Sequence, residues 1–203
     1  LAGLFHDVST PLFSHVSDFR QGDALTQSAT EEPNAYILNH DPQLASLLAQ
    51  DGLTSQQICD YHVYPVADNE IPQLSADRLE YMFPSGMALE GSWSLEEIEK
   101  VYGDIQVLKN EEGIDELGFT NLEHAETYAY RFAMTGHLLQ LNENKLTLQL
   151  LAEITNQAIE LGIITEADCM ELSEKQAMDR FGDYAACHPH ERFSALYRTF
   201  RNM

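Results

Sequence analysis

Between Leu122 and Leu161 the apolar residues recur at helical spacing. Ala125, Tyr128, Ala129, Phe132 and Ala133 fall at three- and four-residue steps, and Leu146, Leu150, Ile154, Ala158 and Leu161 do the same beyond a polar break at 141–144. The spacing predicts two long amphipathic helices joined as a tight hairpin and ended by Gly162. A chain so committed to helix has to find its core by packing helix on helix.

Capping residues extend the helical reading. Asp41-Pro42 opens a helix over roughly 42–50 that Gly52 closes, and Thr54 opens another toward Cys59. Ser94 with Glu97 forms a capping box for 95–103, Thr165 caps 166–172, Ser173 caps 174–181, and a last helix covers 191–201. Ile105–Leu108 and Ile114–Phe119 flank the turn Asn110-Glu111-Glu112-Gly113, which predicts one small β-hairpin. Strands never alternate with helices, which disfavours a Rossmann-type sheet, and Pro84–Gly91 reads as a loop or internal hinge. The fold expected is mostly α, a multi-helix bundle forming one domain over 1–203 with at most one small β-hairpin.

Charge limits the partners. Eleven Lys and Arg face 33 Asp and Glu, a net charge of −22. A nucleic-acid polymer or an anionic membrane binds by exchanging counterions for cationic side chains, so neither partner is expected here. A single phosphorylated compound or nucleotide stays open, because one local pocket can oppose the global field. No apolar run of about 18 residues spans a bilayer. Cys59, Cys169 and Cys187 are odd in number and show no paired spacing, which points to a reducing, cytoplasmic compartment. The chain opens on Leu1 inside an apolar phrase, which reads as a missing natural N-terminus.

The residues with chemical potential begin early. An apolar helix ends in adjacent His6 and Asp7, and the turn Thr10-Pro11-Leu12-Phe13-Ser14-His15 follows. Neighbouring side chains at a helix end that faces a cavity can both reach one metal ion, imidazole from one side and carboxylate from the other. A second His-Asp pair, His40-Asp41, reads as a plain N-cap before Pro42. Seventy residues after His6-Asp7 comes Ser75-Ala76-Asp77-Arg78-Leu79-Glu80-Tyr81.

These two phrases, in this order, resemble the HD-domain superfamily of metal-dependent phosphohydrolases. The later helices, with Arg131 and Met134 and on through Leu172–Phe181, are similar to one of its subgroups, so the resemblance covers about 1–181 and leaves 182–203 as a tail helix. It implies an HD-domain-like helical bundle, with His6, Asp7 and Asp77 as metal ligands. Nitrogen with hard oxygen suits Mn, Fe, Ni, Zn or Mg. It also implies that a metal-activated water attacks phosphorus in a small phosphorylated compound. Arg78, one residue from a ligand, is a candidate to hold phosphate or a neighbouring carboxylate. His15 is a candidate for phosphate contact or proton transfer, imidazole ordinarily titrating near working pH.

The chain departs from the family pattern at three points. The family's first His ligand lies on a helix before the His-Asp helix, upstream of Leu1. Thr10 stands where many members have another His, and Thr30-Glu31-Glu32 where many have His-Glu; neither hydroxyl titrates near pH 7. The alternative for His6 is a core histidine hydrogen-bonded to Asp77. The alternatives for the whole chain are a degenerate HD-type binding or interaction module and a helical oligomerisation module. An apolar groove along Leu1–Phe5 would favour a homodimer.

Cys187-His188-Pro189-His190-Glu191 crowds metal-ligand residue types around a proline and reads as an inter-helix loop. Tyr61-His62-Val63-Tyr64-Pro65 with Asp68-Asn69 reads as aromatic packing under a loop. Glu96, Glu97, Glu99, Glu111 and Glu112 read as solvated acidic faces, and Trp93 as a core or loop anchor.

Overall fold

The computed structural model describes residues 1–22, 34–64, 66–67, 69 and 73–203. Thr30, Glu31, Glu32, Pro65 and Asp68, together with the side chain of His62, lie outside the described residues. In chain order the α-helices are α1 (Ala2–Phe5), α2 (Val16–Gln21), α3 (Asn34–His40), α4 (Pro42–Gln50), α5 (Ala76–Ser85), α6 (Leu95–Tyr102), α7 (Leu122–Leu139), α8 (Asn142–Glu160), α9 (Asp168–Glu171), α10 (Glu174–Cys187) and α11 (Arg192–Arg201). Among the described residues the only sheet is the antiparallel pair β1 (Ile105–Lys109) and β2 (Asp115–Phe119). The fold is therefore mostly α with one small hairpin. None of the described helices is long and apolar enough to cross a membrane. The chain divides into two compact units, Leu1–His6 with Leu48–Leu141 and Asp7–Leu47 with Asn142–Met203.

In the first unit Leu79, Phe83, Trp93, Val101 and Tyr128 form the buried core. Phe83 is its hub, with ring centroids 4.9 Å from Trp93 and 5.3 Å from Tyr128, both edge-on, the arrangement that aromatic quadrupoles prefer. The hairpin pairs Ile105 with Phe119 and Lys109 with Asp115. Its turn is set by Asn110, whose Oδ1 accepts from the backbone N–H of Glu112 and of Ile114, both at 3.0 Å. Gly113 then takes φ +77°, where a Cβ would be strained. Leu74 bridges Leu117, so the segment before α5 adds to the hairpin.

The stretch expected as a loop at 84–91 is instead helical. Pro84 sits inside α5, and Gly86–Glu90 continues it as a π-helical turn closed by Gly91 at φ +62°. Tertiary packing overrides the Pro and Gly signals there. Trp93 folds back so closely that a Cβ on Gly86 would lie 2.7 Å from its Cδ1. The guanidinium of Arg131 covers the other demand of that ring, 4.1 Å from its centroid. Arg131 also reaches Glu97 at 2.7 Å, so Glu97 is an ion-pair member and not simply a solvated acid. That bond, with those from Ser94, holds the Glu97 carboxyl down at about 2.

In the second unit the core is Leu12, Ile154, Ala158, Ile164, Cys169, Ala177, Phe181, Ala185 and Phe193. α8 packs against α2 and α11, and α10 packs against α11. Phe181 is fully buried, with ring centroids 5.7 Å from Phe193, 6.2 Å from Phe13 and 6.3 Å from Tyr197. Arg20 ties three elements of this unit together. Its Nε donates to Asn156 at 2.9 Å, its Nη2 to both oxygens of Glu166 at 2.9 and 3.0 Å, and its Nη1 to the Cys169 sulfur at 3.5 Å. Ser173 caps α10 through a capping box with Gln176, and α10 runs on to Cys187, past the expected end at 181.

The two long helices form as expected. Within the first unit α7 packs on α5, the π-helical turn and β2, and within the second α8 packs on α2 and α11. Periodicity identifies an apolar stripe on each helix, but it does not say which neighbour covers that stripe.

Candidate functional site

His6 is the residue on which α1 ends. Its Nδ1 lies 2.6 Å from the Gly3 carbonyl, three residues back on the same turn. That contact orients the ring, and the opposite nitrogen, Nε2, meets Asp77 Oδ1 at 3.0 Å. The Tyr61 ring stands edge-on to the imidazole at 5.2 Å. Ala2, Tyr61 and Ala67 make a small buried cluster beneath it. Asp77 lies in the first turn of α5, whose N-cap Ser75 accepts from the Arg78 N–H. The backbone N–H groups of Ala76 and Asp77 donate to the carbonyls of Val66 and Ala67 at 2.9 and 3.2 Å. The sequence-predicted partners His6 and Asp77 are thus brought together within one unit.

This donor set fits a divalent ion. A ring whose Nδ1–H is committed to a backbone carbonyl turns the lone pair of Nε2 outward, the arrangement found in metal-bound histidine. Two ligand atoms bonded at about 2.0–2.1 Å to one ion stand ~2.9–3.3 Å apart at right or tetrahedral angles. The observed 3.0 Å falls within that range. Asp7, next in the chain, is solvent-exposed. Among the described residues no three His, Cys, Asp or Glu side chains already stand as a metal-holding group. Without an ion, His6 Nε2 and Asp77 Oδ1 stand at hydrogen-bond distance from each other.

Arg78 is buried, and its guanidinium turns back on Asn69, Gln73 and Ser75, which precede α5. Nη1 donates to Asn69 Oδ1 at 2.6 Å, to the Gln73 carbonyl at 2.9 Å and to Ser75 Oγ at 3.4 Å. Nη2 donates to the Asn69 carbonyl, while Asn69 Nδ2 donates to the Leu74 carbonyl at 2.7 Å.

His15, in the second unit, carries a partner that sequence reasoning missed. Its Nδ1 lies 3.1 Å from Asp18 Oδ2; the imidazole is 58% exposed and the carboxylate fully buried. The signal available was the three-residue spacing at the start of α2, which puts the two side chains on one face. The turn that delivers His15 is strained. Phe13 and Ser14 take φ +63° and +48°, a left-handed region that residues with a Cβ avoid. Phe13 is held there by packing on the Phe181 core.

The remaining candidates have structural roles. Asp41 Oδ1 accepts from the N–H of Gln43 and Leu44 at 2.8 and 2.9 Å, an N-cap for α4. In the 187–191 segment His188 stacks on Tyr184 with centroids 4.1 Å apart, and Glu191 accepts from the Tyr184 hydroxyl at 2.8 Å. The segment joins α10 to α11, and Cys187, like Cys59 and Cys169, is a free thiol.

No protein-family model matches the chain, and no solved structure matches it. Among curated proteins it is similar to the metal-dependent phosphohydrolase cns2 of Cordyceps militaris, at 29% identity over 106 residues. The match takes in 52% of this chain and 30% of that relative, so the chain spans well under half of the relative's length.

Proposed function

We propose that the chain is a metal-dependent phosphohydrolase of the HD type that acts on a small phosphorylated compound, nucleotides included. The observation that carries this reading is the convergence of His6 Nε2 and Asp77 Oδ1 at 3.0 Å from the two sequence segments of one unit. The likeness to cns2 supports the same chemistry. His6 and Asp77 would hold the ion, with Asp7 as the third ligand. A divalent ion so held polarises a phosphoryl oxygen and lowers the pKa of its water. Asp18 holds the His15 ring through Nδ1, which leaves Nε2 as the nitrogen able to exchange a proton.

The test is metal content by elemental mass spectrometry, together with phosphate release from a panel of nucleotides and sugar phosphates. We expect near-stoichiometric metal and release from at least one compound, both lost in Asp77→Asn. That substitution keeps the shape of the side chain and removes the charge that neutralises the ion. Retention of metal and activity by Asp77→Asn would refute the site. Metal-free, inactive wild-type protein would instead favour the non-catalytic binding module.

A further inference from the structure

The geometry points to Arg78 as a positioning residue that sets the His6–Asp77 distance by tying Asn69, Gln73 and Ser75 to α5, and not as a phosphate ligand. This rests on the metal-site reading above and deepens it. A phosphate-binding arginine offers its donors outward in a fork. Here Nη1 and Nη2 instead face acceptors of the preceding segment: the Asn69 side chain and carbonyl, the Gln73 carbonyl and Ser75 Oγ. Asn69 passes the restraint on to the Leu74 carbonyl at 2.7 Å.

Val66 and Ala67 are tied as well. Val66 and Ala67 accept from the first N–H groups of α5, the second of these being that of Asp77 itself. Ala67 packs with Tyr61 and Ala2, and the Tyr61 ring meets His6 edge-on. One guanidinium thus ties Asn69 and Gln73 to α5, while Ala67 and Tyr61 link α5 to α1. Between them these contacts fix Asp77 and His6. Releasing Arg78 frees Asn69 and Gln73, and the two donors lose their fixed spacing. Affinity for an ion is steep in that spacing, and removal of residues that hold ligands in place ordinarily costs ~10–100-fold in metal binding.

The experiment is Mn²⁺ titration of the full chain, with free Mn²⁺ followed by electron paramagnetic resonance, below the melting temperature of every variant. The variants are Arg78→Met, which keeps the apolar stem, Asn69→Ala, which removes the side-chain acceptor alone, and their double mutant, with Asp77→Asn as the reference for a lost ligand. We expect Arg78→Met to weaken Mn²⁺ at least tenfold and Asn69→Ala to weaken it in the same direction. The double mutant should be no weaker than Arg78→Met, because the two residues share one hydrogen bond. A purely structural arginine would lower the melting temperature and leave the Mn²⁺ affinity of folded protein unmoved. A phosphate ligand would leave Mn²⁺ affinity unmoved and weaken inorganic phosphate binding to the Mn²⁺-loaded protein. Either result overturns the inference while leaving the metal site standing. Wild-type protein that binds Mn²⁺ no better than Asp77→Asn would overturn the metal-site reading, and the positioning role with it.

Discussion

Phe181→Ala tests the packing of the second unit and, through it, the turn that carries His15. The ring is fully buried and meets Phe193, Phe13 and Tyr197 at centroid distances of 5.7, 6.2 and 6.3 Å. Truncating a buried Phe to Ala costs about 3–5 kcal/mol, because the atoms leave apolar surroundings and the cavity collapses only in part. Three aromatic neighbours place this site toward the upper end of that range. A further effect acts through Phe13. It and Ser14 hold left-handed φ values of 63° and 48°, which cost about 1–2 kcal/mol each and persist only because Phe13 is anchored in this core. Loss of the anchor lets the turn relax. The assay is urea unfolding followed by far-UV circular dichroism. We expect a loss of about 4 kcal/mol. A loss below ~1.5 kcal/mol would show that the ring is not buried as described.

Three more outcomes are expected. Ser14→Gly removes the strain at φ +48° and should raise stability by about 0.5–1 kcal/mol in the same titration, net of the entropy that glycine adds to the unfolded chain; a loss would mean that the turn is not left-handed. Gly86→Ala drives a Cβ to 2.7 Å from Trp93 Cδ1 and should cost about 1–3 kcal/mol with a red-shifted Trp93 emission, whereas an unshifted spectrum would contradict the close approach. The Glu97 carboxyl is depressed from 4.5 to about 2, first by the hydrogen bond from Arg131. A depressed carboxylate contributes stability that is present above its unfolded pKa and lost as pH falls through the folded one. The difference in melting temperature between wild type and Glu97→Gln should therefore be full at neutral pH and shrink between pH 4.5 and about 2; a difference that grows on acidification would reverse the assignment.

How much of this was legible in the sequence depended on how local the cause was. Asp41, Ser94 with Glu97, and Ser173 act on backbone within three residues, and each caps the helix expected of it. The Asn110–Gly113 turn likewise carries its own geometry. Pro84, Gly86 and Gly91 read as a loop by the same local rules, but Trp93 and Arg131 arrive from outside the segment and hold it helical. The helices α7 and α8 were foreseen and their partners were not, for periodicity describes a surface and not what covers it. At the candidate site, the His6–Asp77 encounter was readable only because two motifs were recognised in order. Asp18 was missed because a carboxylate near a helix start ordinarily marks a solvated face, and nothing local tells that this one is buried. The direction of the Arg78 guanidinium depends on Asn69 and Gln73, and nothing in the sequence links either of them to an arginine further along the chain.

The first unit is discontinuous in sequence: its opening segment, Leu1–His6, belongs with a stretch that begins only at Leu48. During synthesis α1 therefore leaves the ribosome long before Tyr61, Ala67 and Asp77 exist to receive it. At ~5–20 residues per second the interval from residue 6 to residue 77 is about 4–14 s, during which α1 lacks these three contacts. The His6–Asp77 pair is consequently a late event, made after the segment between has been closed into a loop and its entropy lost. A chain interrupted anywhere before α5 carries the histidine and the turn after it, yet never assembles the pair.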